Sequence, residues 1–306
     1  MLKKNRIGFF HKMSAADIAY NIIGYIIFGA FALSCILPFY YIFIVSISDN
    51  DLVRRGVPLI YPRGIHFRNY VNIFLLPELW PATKITLART ILGTFLTVFT
   101  NMFLGYAFSK RYMVGRKFFY RFIIATMYIS AGLIPTFINY YNLGLVNNFW
   151  IYIFPFVSAF NIILCKTFIE ALPVSLEESA RIDGASLLQA FWRIVVPISK
   201  PLVATIAVFT AVGHWNDYMT SRIYVRNNDL FTLQYILYNY LNSATSLARS
   251  MASGDRVGVG IDLTKIITPT SVRMTVTMVI TLPVLFVYPL FQKHFASGLL
   301  IGAVKG

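Results

Sequence analysis

Apolar residues run along this chain in stretches too long for the core helices of a soluble domain, and that pattern excludes most folds. A helix needs about 20 mostly apolar residues to cross a bilayer. Six such runs stand out, at roughly 18–47, 86–108, 122–142, 149–166, 201–221 and 274–292. Only 13% of the 306 residues are charged, against about 25% in a typical soluble domain. The mean hydropathy is +0.65. The expected fold is an all-α integral membrane protein with six transmembrane helices. Pro38, Pro135, Pro155, Pro283 and Pro289 fall inside the runs, where membrane helices accept them as kinks. The first run is too long, and ends too polar, for a cleaved signal, so it reads as an uncleaved span.

The net charge is +15. Such an excess suits a nucleic-acid surface, but here the bases sit between the apolar runs, as cytoplasmic loops require. Lys3, Lys4, Arg6 and Lys12 precede the first span, and Lys110, Arg111, Arg116, Lys117 and Arg121 follow the second. The uncharged 143–148 loop then lies outside, and Lys293, His294 and Lys305 return to the cytoplasm. The expected topology is N-in, C-in. Cys35 and Cys165 each sit in an apolar run, and their spacing gives neither a disulfide framework nor a metal site.

The loop between the fourth and fifth spans, about 167–200, is punctuated as a helical hairpin. Ser175 with Glu178, and Ser186 with Gln189, have capping-box spacing. Glu177 and Arg181 make an i,i+4 pair in the favourable order. Gly184 suits a helix-ending left-handed turn, while Pro197 and Pro201 stop the second helix and start the next span. A DNA-reading helix-turn-helix has the same outline. Glu170, Glu177, Glu178 and Asp183 against Arg181, Arg193 and Lys200 leave no basic excess for phosphate, so no nucleic-acid partner is expected.

Glu178-Ser179-Ala180, three residues to Gly184, nine to Ile194 and then Val-Val-Pro197 resemble the EAA loop of ABC-importer permeases. Ser179 and Val196 depart from that pattern. Trp215-Asn216-Asp217-Tyr218 and the ending PLFQKHFASGLLIGAVKG resemble the maltose-type carbohydrate permeases, in the branch importing complex oligosaccharides. The resemblance implies an N-terminal segment with first span and outer loop at 1–84, a permease core at 85–292 and a cytoplasmic tail at 293–306. It implies a bacterial cell-membrane protein that imports a sugar or oligosaccharide. Its partners would be a second homologous permease subunit, two cytosolic ATPase subunits and an extracytoplasmic solute-binding protein. Glu178, Ser179, Ala180, Asp183, Gly184, Ala185 and Pro197 would couple the chain to the ATPase. The sequence holds no G-x-x-x-x-G-K-[ST] loop, so the chain is expected to be no enzyme and to bind no cofactor, with ATP and Mg on the ATPase.

His214 and Asp217 lie three residues apart late in the fifth span, where ionisable groups default to functional readings. A proton relay or metal pair competes there with a polar cluster at the membrane interface, and no third metal ligand is evident. With Trp215, Asn216 and Tyr218 they are candidates to line the outer mouth of a pathway. Outer-loop arginines (Arg54, Arg55, Arg63, Arg68, Arg222, Arg226, Arg249, Arg256) would suit an acidic glycan or an acidic binding protein equally. The rival functions are an ion-coupled transporter, which would need inverted repeats, and a membrane-embedded enzyme using His214 and Asp217.

Overall fold

The computed structural model describes residues 15–154, 156–252 and 270–286. Every regular element among them is helical. The helices are α1 (Ala15–Ile47), α2 (Asn50–Arg54), α3 (Arg68–Phe74), α4 (Leu79–Ser109), α5 (Arg116–Thr126), α6 (Leu133–Asn142), α7 (Ala159–Glu170), α8 (Ser175–Ile182), α9 (Leu187–Ala190), α10 (Val196–Ile198), α11 (Lys200–Asn216), α12 (Met219–Tyr224), α13 (Leu233–Ala252) and α14 (Thr270–Phe286). The basic N-terminal segment, Pro155, Arg256, Pro289 and the C-terminal tail lie outside the described residues.

The chain divides into two compact units. One comprises Met1–Asn69 and Asp262–Met278. Within it, Ile44, Val45 and Leu59 form a small buried cluster with Val53 and Met274 against it. Asp49 starts α2 by accepting hydrogen bonds from the N–H groups of Asp51 (2.8 Å) and Leu52 (3.3 Å). Ahead of Ile44, the apolar length of α1 is exposed on all sides, as a helix surrounded by lipid should be.

The second unit, Tyr70–Ile261 with Val279–Gly306, is organised around α4. At 1.5 Å per residue, its 31 residues extend about 46 Å. Its buried residues recur at helical spacing and include a polar series, Thr86, Arg89, Gly93, Thr97, Asn101 and Gly105. This face packs on α7 and α11. A Cβ on Gly105 would overlap Cys165 of α7, and one on Gly93 would meet His214 of α11 at 2.5 Å. The small residues thus let three backbones approach closely, as in membrane helix packing generally.

Three of the expected spans are not straight helices, the 201–221 run being broken at Asp217–Tyr218 between α11 and α12. The 122–142 run divides into α5 and α6, separated by Met127–Gly132. The break lies at Gly132 (φ 81°, ψ 179°), a region open only to glycine, while Pro135 fits harmlessly into the first turn of α6. The 149–166 run begins with a 3₁₀ turn at Phe149–Tyr152 and becomes α-helical only at Ala159. Its irregular backbone is strapped by Asn101, which donates to the Phe156 carbonyl (2.8 Å) and accepts from the Ser158 N–H (2.8 Å). Hydropathy sees composition, which is uniform through these runs, and is blind to such breaks. Among the described residues, two single helices, Asp17–Ile47 and Leu79–Ser109, are long and apolar enough to cross a membrane. The number rises to four if two sharply bent helix pairs are each counted as one crossing.

Candidate functional site

The hairpin expected at 167–200 is present. A bend of 76° separates α7 from α8, and another of 79° separates the Leu187–Ile198 segment from α11. Since α8 is acidic and exposed, it is a projecting arm and not a continuation of α7. Gly184 takes φ +83°, and the N–H of Ala185 bonds the Ala180 carbonyl at 2.9 Å, closing α8 in a left-handed turn. Nothing lies within 4 Å of a Cβ built there. Gly184→Val therefore meets backbone strain without a clash, and should cost about 1–2 kcal/mol. Gly184→Asn should cost less, because Asn tolerates this region. Thermal unfolding of the solubilised protein tests the order, and equal midpoints for Val and Gly would contradict it.

Ser186 and Gln189 form the expected capping box, with Ser186 N–H to Gln189 Oε1 at 2.8 Å and Gln189 N–H to Ser186 Oγ at 3.3 Å. Two other local expectations fail. Ser175 does not cap α8: the N-cap position is Val174, whose carbonyl receives the N–H groups of Glu177 and Glu178. Pro173 starts the turn one residue earlier than the Ser-x-x-Glu spacing suggests. Nor do Glu177 and Arg181 pair. Glu177 binds Lys110, and Arg181 bonds the Tyr112 hydroxyl with its guanidinium 4.7 Å from that ring. An i,i+4 pair on an exposed helix is worth only a few tenths of a kcal/mol, so a partly desolvated base from another loop displaces it.

Pro197 does not stop the second helix. The chain passes from α9 through a π-turn, Phe191–Val195, into α10, and breaks only at Ser199. The N–H of Val196 bonds the Phe191 carbonyl, five residues back, in the widened geometry that accommodates a proline without an N–H. Phe191 and Val195 anchor this segment in a buried cluster with Met102, Tyr106, Cys165 and Ile206.

Of the residues singled out in the hairpin, Glu178, Ser179, Asp183 and Gly184 are exposed, while Ala180 and Ala185 are half-buried. Ile182, 87% exposed, stands at the tip. The Glu178 carboxylate makes no ion pair with any described residue. Behind α8 lies a cleft of about 730 Å³, bounded by the Ser109–Tyr112 loop, Arg116, the end of α7 and Arg181. Lys110 and Arg116, taken from sequence as topology markers, are built into the hairpin's base. Their charge is visible in the sequence, but no spacing rule links residues 67 apart.

The other polar cluster lies toward the opposite end of α4. Asp217 ends α11 with an extended backbone (φ −78°, ψ 111°), so it does not share a helical face with His214. Its carboxylate accepts from Arg89 Nη2 at 2.6 Å, from Thr220 Oγ1 at 2.5 Å and from the N–H groups of Met219 and Thr220. Arg89 Nη1 also donates to the Asp217 carbonyl, and its guanidinium lies 4.6 Å from the Tyr152 ring centroid. His214 packs over Gly93, Trp215 donates its indole N–H to the Ile280 carbonyl (3.2 Å), Asn216 is exposed, and Tyr218 stacks on Tyr238 with centroids 4.6 Å apart. No group of three metal-ligating side chains occurs among the described residues. The arrangement favours a structural lock over a relay, and Arg89, not His214, is the partner of Asp217.

The sequence profile of the family described as "Binding-protein-dependent transport system inner membrane component" matches residues 7–301. The chain belongs to that family. Among relatives of this chain, the polygalacturonan/rhamnogalacturonan transport system permease protein YtcP of Bacillus subtilis (strain 168) is 35% identical over 277 residues, covering 90% of the chain and 94% of the relative. LplC of the same organism is 34% identical over 299 residues, covering 97% and 98%. A solved chain from a bacterial ABC transporter involved in the import of the acidic polysaccharide alginate superposes with a TM-score of 0.78 at 31% identity. That match covers 92% of this chain and 99% of the solved one. The family and the apolar helices together make this an integral membrane protein.

Proposed function

We propose that this chain is one of two permease subunits of an ATP-driven, binding-protein-dependent importer of oligosaccharides, acidic ones included. The observation that carries the proposal is the likeness, over nearly the whole chain, to a subunit of an alginate importer, together with 35% identity to a polygalacturonan/rhamnogalacturonan permease. The first is involved in import of the acidic polysaccharide alginate, and the second is named for polygalacturonan and rhamnogalacturonan. In this reading the chain crosses the bacterial cell membrane six times with both ends inside, the broken 122–142 and 149–166 runs being interrupted crossings. The partners are a second permease subunit, two cytosolic ATPase subunits holding ATP and Mg, and a solute-binding protein outside.

The hairpin is then the handle gripped by the ATPase. Glu178, Ser179, Asp183 and Gly184 present its accessible surface, Ala180 and Ala185 pack its inner side, and Pro197 sets the path back to α11. His214, Trp215, Asn216, Asp217 and Tyr218 form the wall of the outer mouth, where stacked Tyr218 and Tyr238 offer a flat apolar surface to a sugar ring. Arg222, whose guanidinium donates to the Tyr238 hydroxyl at 3.0 Å, puts positive charge beside that pair. The test is reconstitution with the partner subunits in vesicles. ATP-dependent uptake of oligogalacturonate or oligoalginate, exceeding that of neutral maltodextrins, is expected. Uptake by the isolated chain without ATP, or failure of any ATPase to copurify, would refute the assignment.

A further inference from the structure

The hairpin is joined to the helix bundle in two ways, through the chain itself and through side chains. Its covalent connections are sharp bends, at Ala171–Val174 and at Ser199. The hydroxyl of Ser199 is buried without a hydrogen-bond partner, so that corner is not tied by its own side chain. Its side-chain connections run instead to the end of α4 and the loop that follows. Lys110 Nζ binds both carboxylate oxygens of Glu177, and it lies 4.3 Å from the Tyr106 ring centroid. The side chains of Lys110 and Glu177 are 15% and 17% exposed, so water screens the pair far less than a surface pair. The Tyr106 hydroxyl bonds the Leu187 carbonyl at 3.3 Å, reaching the second arm. Tyr112 holds Arg181. Below them Arg116 donates to the Phe108 carbonyl (2.5 Å) and to Glu170 (2.6 Å), which also accepts from Lys166 (2.7 Å).

Both arms of the hairpin are therefore fastened to one end of α4, which continues unbroken for about 46 Å. Toward its other end α4 holds Asp217 through Arg89, and Thr86 Oγ1 accepts the Leu233 N–H at 2.8 Å. We propose that Lys110 is a positioning residue that clamps the hairpin to α4, so that α4, and not the bent α10–α11 connection, carries the hairpin's displacement across the protein. The inference rests on the reading of the hairpin as the ATPase handle. A rigid element fixed at both ends passes on displacement, whereas a bend of 79° at one residue absorbs it.

The experiment uses the complete transporter in vesicles and measures sugar imported per ATP hydrolysed. Coupling free energies of ordinary size predict that Lys110→Met lowers this ratio by about tenfold while the ATPase still copurifies and hydrolyses ATP. Lys110→Arg should keep the ratio, and Lys110→Glu combined with Glu177→Lys should largely restore it. If Lys110→Met prevents assembly, Glu177→Gln, which keeps the shape and removes one charge, supplies the same reading. An unchanged ratio in Lys110→Met or Glu177→Gln, or no recovery in the charge exchange, overturns the clamp. Glu178→Lys separates the two ideas: loss of coupling there with a normal ratio in Lys110→Met refutes only the clamp. Normal coupling in Glu178→Lys refutes the handle itself.

Discussion

Asp217→Ala should be the most destabilising single change outside the apolar core, costing about 3 kcal/mol. Removing one member of a buried ion pair leaves the other charge without compensation, at about 3–5 kcal/mol. The lower end applies because the Asp217 side chain is 27% exposed, although Arg89 is only 4% exposed. Arg89 already has its Nε buried without a partner, so little nearby can replace the carboxylate. The same substitution removes the hydrogen bonds to the N–H groups of Met219 and Thr220 that start α12. Chemical unfolding in detergent measures the loss. Combining Asp217→Ala with Arg89→Leu should recover part of it, since the orphaned charge is then gone. A single variant within about 0.5 kcal/mol of the parent, the range of ordinary surface substitutions, would show that the pair is no lock.

Glu178→Lys should leave folding nearly unchanged and reduce ATP-coupled uptake by about a hundredfold. The carboxylate lies in the first turn of α8, where it favours the helix end by only some tenths of a kcal/mol. It has no ion pair within the described chain, so its charge is available to a partner. Reversing a charge at an interface places like charges together at several kcal/mol, and about 2.7 kcal/mol corresponds to a hundredfold. Membrane insertion and yield are the controls, and transport at the parental rate is the contrary result.

What the sequence disclosed about this chain followed the range over which each signal acts. Helical class, the hairpin, the Gly184 turn and the Ser186–Gln189 box depend on composition or on residues within four positions, and all are present. Ser175 and the Glu177–Arg181 pair are local patterns too, yet they lost to Pro173 and to Lys110, which act from just outside the motif or from another loop. The breaks near Gly132 and before Ala159 escaped because apolar composition continues through them. A lone glycine and one asparagine on another helix decide them. Arg89 was the largest omission. As a single base near the start of an apolar run it reads as a flank of the span, and only the fold places Asp217, 128 residues away, against it.

The π-turn at Phe191–Val195 sets an azimuth. One surplus residue in a helix advances everything beyond it by about 100°, a full face. The direction in which Glu178 and Ile182 point, measured about the axis leading into α11, is thus indexed by a single residue of slack ahead of Pro197. Shortening this stretch by one residue would yield a tidier helix and aim its acidic tip elsewhere. The irregular turn is the more valuable spelling, because orientation, not regularity, is what a protruding lever has to conserve.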